Sequence, residues 1–141
     1  GSDKVTAAFR DGTTSRLIIR PFRRMNHTRE FRLFFHGGEL KAMSQYHIQR
    51  HFHRLDGQEK TLWRWGSKFA DEIKPFLDQD KAVIDIYISS EGRIFIIDMN
   101  SWGAPTNPLL LRDWDRDWRQ VVGLKLKPKP VKMKGDISVS F

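Results

Sequence analysis

The sequence predicts an α+β fold, with a mainly antiparallel sheet built from two β-hairpins and packing helices. Three observations carry this. Strand-like runs, REFRLFFH and ELKAMSQ, flank Gly37-Gly38, a pair that tolerates positive φ at both turn positions. A second pair of Val-, Ile- and Phe-rich runs flanks Ser90-Glu91-Gly92. Between them Leu62, Trp65, Phe69, Ile73 and Phe76 recur at spacings of three and four, the period of a helix with one apolar face.

In chain order, Val5, Ala8 and Phe9 share one face at helical spacing, so a short helix is expected over Asp3 to Asp11, ending at Gly12. Ser15 to Phe22 reads as a strand in which Pro21 must sit at an edge or end. In the hairpin from Arg29 to Gln45, a two-residue Gly37-Gly38 turn pairs Phe35 with Leu40, Leu33 with Ala42 and Phe31 with Ser44 on an apolar face. The opposite side then carries Glu30, Arg32, Lys41 and Gln45. His47 to Leu55 is a short helix or loop before the Asp56-Gly57 turn. The helix follows over Glu59 to Leu77, weakened by Gly66, with Pro75 near its end. The second hairpin spans Ala82 to Ser101, and Leu109 to Val122 is a helix or irregular segment with Trp114 and Trp118 one turn apart. Residues 124–141, with alternating Leu/Lys and two prolines, read as a basic extended tail on a 1–123 domain, with an edge strand expected over Asp136 to Phe141.

At 141 residues the chain is one domain or a piece of a larger one. A hydrophobic fraction of 39% with 12% aromatics suffices for a core. No run approaches the ~20 apolar residues of a membrane span. The absence of cysteine excludes disulfides and thiolate metal sites, and with no secretory signal pattern the expected location is cytoplasmic. A net charge of +8 favours phosphate-bearing partners, nucleotides or nucleic acids, although a solvated basic surface has the same composition.

The chemistry concentrates on the second hairpin. Asp85, Asp98 and Asn100 interrupt apolar runs, and a carboxylate among such residues costs free energy unless it is paired, hydrogen-bonded or metal-bound. Asp98 and Asn100 are two apart and share a face. A two-residue Glu91-Gly92 turn would place Asp85 opposite Asp98, whereas a three-residue turn would place it on the other face. Two facing carboxylates with an amide oxygen suit Mg2+, which takes one or two carboxylates and leaves the rest to water and phosphates. Aspartates bonded to turns, or to Arg93 and Arg112, remain the alternative. On the first hairpin Arg32 and Lys41 suit phosphate, the one as a planar fork and the other as a point charge. His47 and His51 have the i, i+4 spacing of a zinc pair, but no carboxylate partner follows at metalloprotease spacing, and surface histidines are the expected reading. Nucleophilic catalysis has no candidate motif.

Five pieces together resemble the cell division cycle protein 123 family, which has an ATP-grasp fold. They are Glu30-Phe31-Arg32, Ala42-Met43-Ser44-Gln45, Val83-Ile84-Asp85-Ile86-Tyr87, Ile97-Asp98-Met99-Asn100-Ser101-Trp102-Gly103 and Thr106-Asn107-Pro108-Leu109-Leu110-Leu111. The resemblance implies an ATP-grasp C-terminal-subdomain-like architecture. It implies ATP and Mg2+ as cofactors, with Asp85, Asp98 and Asn100 on the metal and Arg32 as the catalytic cation at the phosphates or the acceptor. Glu30, Lys41 and Gln45 are expected to border the nucleotide. The family pattern has Arg where Tyr46 stands, Pro at Ser101, Asp at Asn107 and Phe at Leu111. The expected role is part of an ATP-dependent carboxylate–amine ligase or an ATP-binding assembly factor. The chain would be a C-terminal half or a short divergent member, completed by a protein partner or a missing N-terminal subdomain. A basic RNA-binding module, using Trp114, Trp118 and the tail lysines, is the competing expectation.

Overall fold

The computed structural model describes residues 4–10, 17–23, 26–133 and 137–139. The strands are β1 (Lys4–Arg10), β2 (Leu17–Arg23), β3 (Glu30–His36), β4 (Glu39–Gln45), β5 (Ala82–Ile88), β6 (Ile94–Asn100), β7 (Gly123–Lys125), β8 (Val131–Met133) and β9 (Ile137–Val139). The helix α1 covers Glu59–Ile73 and tightens into a 3-10 turn over Lys74–Phe76, where Pro75 cannot donate to the preceding turn. Seven strands form one sheet in the order β2-β1-β6-β5-β3-β4-β7, antiparallel except for β4 with β7. The α+β expectation with two hairpins and a packing helix holds.

The first strand is a correction. Lys4–Arg10 pairs with β2 along its whole length and with β6 through Ala8 and Ile96, so it is not a helix. Val5, Ala7 and Phe9 also alternate, and two and a half turns of helix have too few hydrogen bonds to compete with a sheet partner. Pro21 lies in β2, the outermost strand, as its missing N–H requires.

Both hairpins carry a bulge that the sequence did not predict. In the first, Phe35 pairs with Leu40 as expected, but Phe34 pairs with Ala42, leaving Lys41 unpaired. One extra residue moves every later side chain of β4 to the other face. Met43, not Ala42, therefore joins Leu33 against the helix, and Gln45 pairs with Phe31 rather than sharing the face of Arg32. In the second hairpin the loop holds three residues, Ser90 to Gly92, closed by Ser89 N–H donating to Arg93 O at 2.8 Å. Ile97 is then skipped, and this bulge restores Asp85 opposite Asp98.

The sheet has two apolar faces. Phe31, Leu33, Phe35, Met43, Ile84, Ile86 and Ile88 meet Leu62, Phe69, Ala70 and Ile73 of α1. Gly66 belongs to that contact, because a Cβ there would lie 2.9 Å from Met43 Sδ. Phe76, expected on this face, is 40% exposed. On the other face Phe34, Ala42 and Val83 are covered by Leu111 and Trp118, with Trp102, Trp114 and Val122 packed around them. The segment from Leu109 to Val122 is irregular apart from a 3-10 turn at Leu109–Leu111. It is fixed by side chains, with Trp114 Nε1 donating to Thr106 O and Trp118 Nε1 to Trp114 O. The expected boundary between residues 123 and 124 falls inside β7, and β9 pairs with β8 in a separate ribbon. Among the described residues no helix is long and apolar enough to cross a membrane.

Candidate functional site

The tryptophan segment covers one half of its sheet face. The other half is polar. Glu30 and Arg32 from β3, Asp85 from β5, and Asp98 and Asn100 from β6 share it, since Arg32 pairs with Asp85 and Asp85 with Asp98 across neighbouring strands. Arg32 is 6% and Asp85 4% exposed. Arg32 Nε and an Nη donate to the two Asp85 oxygens at 2.7 and 2.9 Å, a bidentate fork. The other Nη donates to Asn107 O at 2.7 Å and ties the loop after β6 to the sheet. Asn100 Nδ2 donates to Asp85 Oδ2 at 2.9 Å. Burial alone would lower the affinity of Arg32 for its proton. The hydrogen bonds and charge of Asp85 outweigh that, aided by Tyr46 and Asp98, and hold its pKa above the ordinary value.

The partner of Asp85 is thus Arg32, rather than Arg93 or Arg112. Asp98 is exposed, with Oδ1 accepting from the Met99 N–H at 2.9 Å and Oδ2 without a partner among the described residues. Among the described residues no group of three or more His, Asp or Glu could hold a metal ion by itself. The side chains that share this face supply two carboxylates and an amide, with both Asp85 oxygens already accepting from Arg32 and Asn100. Such all-oxygen donors fit a hard cation that keeps water and phosphate in its remaining positions.

Beside this face opens a cleft of about 630 Å3, within the usual range for small-ligand sites of roughly 300–1,000 Å3. Arg32 and Asn100 line it from the strands, Tyr46 to Gln49 from the segment after β4, and Pro105 to Asn107 with Leu109 from the loop after β6. Tyr46 lies with its ring 5.2 Å from the Arg32 guanidinium carbon.

The remaining expected site residues are elsewhere. Lys41, on the bulge, bonds Glu39 at 3.2 Å and Arg119 O at 3.4 Å, and does not line the cleft. Gln45 is on the helix-side face. Its Nε2 donates to His47 O and Arg50 O, and its Oε1 accepts from the Lys127 N–H, so it fastens the loop and the start of the tail. Glu30 accepts from His47 Nε2 at 2.6 Å. His47 and His51 do not form a pair, because His51 bonds Asp56 at 2.7 Å. Tyr46, His47 and Asn107 were missed as cleft residues. Their only sequence signal was their place immediately after the hairpin and after the Asp98–Asn100 strand. Trp118, expected as a stacking residue of an RNA-binding module, is buried, and Trp114 is half-buried against the same cluster.

The sequence model of the D123 family matches residues 3–122. The chain belongs to the D123 family. It is similar to cell division cycle protein 123 of Candida glabrata, 29% identical over 114 residues covering 79% of this chain and 30% of that protein. The translation initiation factor eIF2 assembly protein of Aspergillus fumigatus is 32% identical over 111 residues, 77% of this chain and 25% of that one. The D123 chain therefore spans about a quarter to a third of the length of these relatives. A C-terminally truncated Cdc123 structure from Schizosaccharomyces pombe superposes with a TM-score of 0.64 at 22% identity, over 77% of this chain and 43% of that one, and shows the shared fold. A second Cdc123 structure from the same organism gives 0.59 at 26% identity, over 70% and 38%.

Proposed function

We propose that this D123 chain carries the magnesium–nucleotide half-site of an ATP-grasp-like, ATP-binding assembly factor. The observation that carries the reading is the polar half-face of Arg32, Asp85, Asp98 and Asn100, of which Arg32 and Asn100 line an open cleft and Asp85 and Asp98 lie beside them on the sheet. Asp98 and Asp85, with the Asn100 oxygen, would hold Mg2+, which when bound neutralises phosphate charge. Arg32 has five N–H donors and uses three of them on Asp85 and Asn107. Two donors are left for a phosphate oxygen, so Arg32 can orient Asp85 and bind an anion together. Tyr46 supports the guanidinium plane.

The assembly role is favoured over a carboxylate–amine ligase by what the relatives are named for, the assembly of a translation initiation factor. The partner would then be a protein of that kind, meeting the chain outside the cleft. Calorimetric titration with ATP, with and without Mg2+, and again for Asp98→Ala, tests the half-site. Binding that needs Mg2+ and weakens at least tenfold in the variant is expected. Equal binding in all three would falsify it.

A further inference from the structure

We propose that the Glu30–His47 pair is a proton-accepting device of the cleft, and that the chain hydrolyses the terminal phosphate of bound ATP with His47 as the general base. The inference rests on the nucleotide reading of the cleft and adds an activity to it. His47 Nε2 is 2.6 Å from Glu30 Oε2, and the Glu30 side chain is only 3% exposed. A carboxylate can only accept, so Nε2 carries a proton, and in the neutral imidazole Nδ1 then presents a lone pair. Nδ1 has no hydrogen-bond partner among the described residues. His47 is one of the residues that line the cleft.

The ring is also held on two further sides. His27 stacks on it with centroids 3.9 Å apart and planes 13° from parallel, and Tyr46 meets its edge at 5.1 Å. Asn26 fixes the turn that carries His27, since its Oδ1 accepts from the Thr28 N–H and hydroxyl. An imidazole oriented by a buried carboxylate, braced by its neighbours and carried by a residue that borders a ligand-sized space is the arrangement a general base requires. Tyr46 also places it near the phosphate cation, because the same ring lies 5.2 Å from the Arg32 guanidinium. The titratable groups around His47 are Glu30, His27, Tyr46 and, across Tyr46, Arg32.

The step balances without a further reagent. A water oxygen attacks the terminal phosphorus, and its O–P bond forms as the bond from phosphorus to the bridging oxygen breaks. That electron pair leaves with ADP, the water proton goes to His47 Nδ1, and Glu30 stabilises the resulting imidazolium. Arg32 meets the charge that develops on the phosphoryl oxygens.

The test is release of inorganic phosphate from Mg-ATP by the purified chain, with ATP affinity measured in parallel. His47→Ala is expected to bind Mg-ATP within about threefold of wild type and to lose about 100-fold in turnover, the lower range for a general base. Imidazole added to the medium should restore part of that rate, and the fall of the wild-type rate at acid pH should vanish in the variant. Glu30→Gln should lower turnover less than His47→Ala. Wild-type protein that binds Mg-ATP but releases no phosphate overturns the proposal and leaves the half-site standing. A His47→Ala rate equal to wild type, or a loss that imidazole does not relieve, overturns it as well. Failure of wild type to bind Mg-ATP overturns both readings.

Discussion

Replacing Arg32 by methionine keeps the apolar stem and removes the guanidinium. Asp85 would then sit 4% exposed with one remaining donor, Asn100 Nδ2 at 2.9 Å, in place of three. Breaking one side of a buried ion pair costs about 3–5 kcal/mol, because a charge is stranded out of water. A domain of this size has about 5–15 kcal/mol in total, so Arg32→Met should fold but unfold at markedly lower urea. Intrinsic tryptophan fluorescence reports the transition, since Trp102, Trp114 and Trp118 pack on the same face of the sheet. Two further results separate a stranded charge from lost packing. Replacing both partners, Arg32→Met with Asp85→Leu, should recover stability relative to the single variant, as an apolar pair of similar volume is often neutral. The deficit of Arg32→Met should also shrink as pH falls. A stranded carboxylate holds a proton more tightly when folded than unfolded, so folding is favoured on the acid side and penalised as pH rises through the folded value. A loss under about 1 kcal/mol for the single variant, or a double variant less stable than the single, would refute this account of the pair.

Three other outcomes are expected. Gly66→Ala should destabilise the protein, although alanine is intrinsically better in a helix by ~1 kcal/mol. The new Cβ meets Met43 Sδ at 2.9 Å beneath a fully buried side chain, and overpacking costs typically 1–3 kcal/mol; a raised melting temperature would contradict the close approach. Gln45→Leu removes three hydrogen bonds to backbone, about 3 kcal/mol at ~1 each. Exchange of the Lys127 amide should accelerate with it, and unchanged protection would disprove the fastening role. Burial, offset by Arg29 and reinforced by Glu30, holds the Tyr87 phenol above its ordinary pKa. Its contribution is therefore intact below about pH 10 and lost as pH climbs through the folded value. Tyr87→Phe should show a shallower alkaline loss of stability in a pH series of melts, and identical slopes would argue against it.

The turn residues made the two hairpins legible, and the apolar spacing did the same for α1. What the sequence hid was register. Neither Lys41 nor Ile97 announces itself as a bulge, because a skipped residue is chosen by packing of the whole sheet and not by its own propensity. The two errors had different consequences. At Lys41 the bulge sent Gln45 to the wrong face, while at Ile97 it cancelled the extra loop residue and left Asp85 opposite Asp98 as expected. The Arg32–Asp85 fork was not legible, since it depends on β3 lying next to β5, a non-local pairing that either hairpin alone cannot specify. Lys4–Arg10 was misread because helical and alternating spacings coexist in so short a run, and its strand partners lie elsewhere in the chain. His47 was noticed for a metal-like spacing with His51, when its partner, Glu30, is 17 residues upstream.

The two borders of the seven-stranded sheet have a bearing on how this chain behaves in concentrated solution. An outermost strand offers unpaired N–H and C=O groups to any passing chain. On one border that strand, β2, contains Pro21, which has no N–H to give. On the other, β7 is three residues long and leads into Pro128 and Pro130. It reinforces β4 through pairing at Ala42 to Ser44, with Val122 bonded to Lys41 and Lys127 to Gln45 at its two ends. A strand from a second copy would meet an interrupted ladder on one side and a very short one on the other. The sheet is thereby built to stop growing, and its crowded states should be limited by charge repulsion at +8 rather than by edge-to-edge assembly.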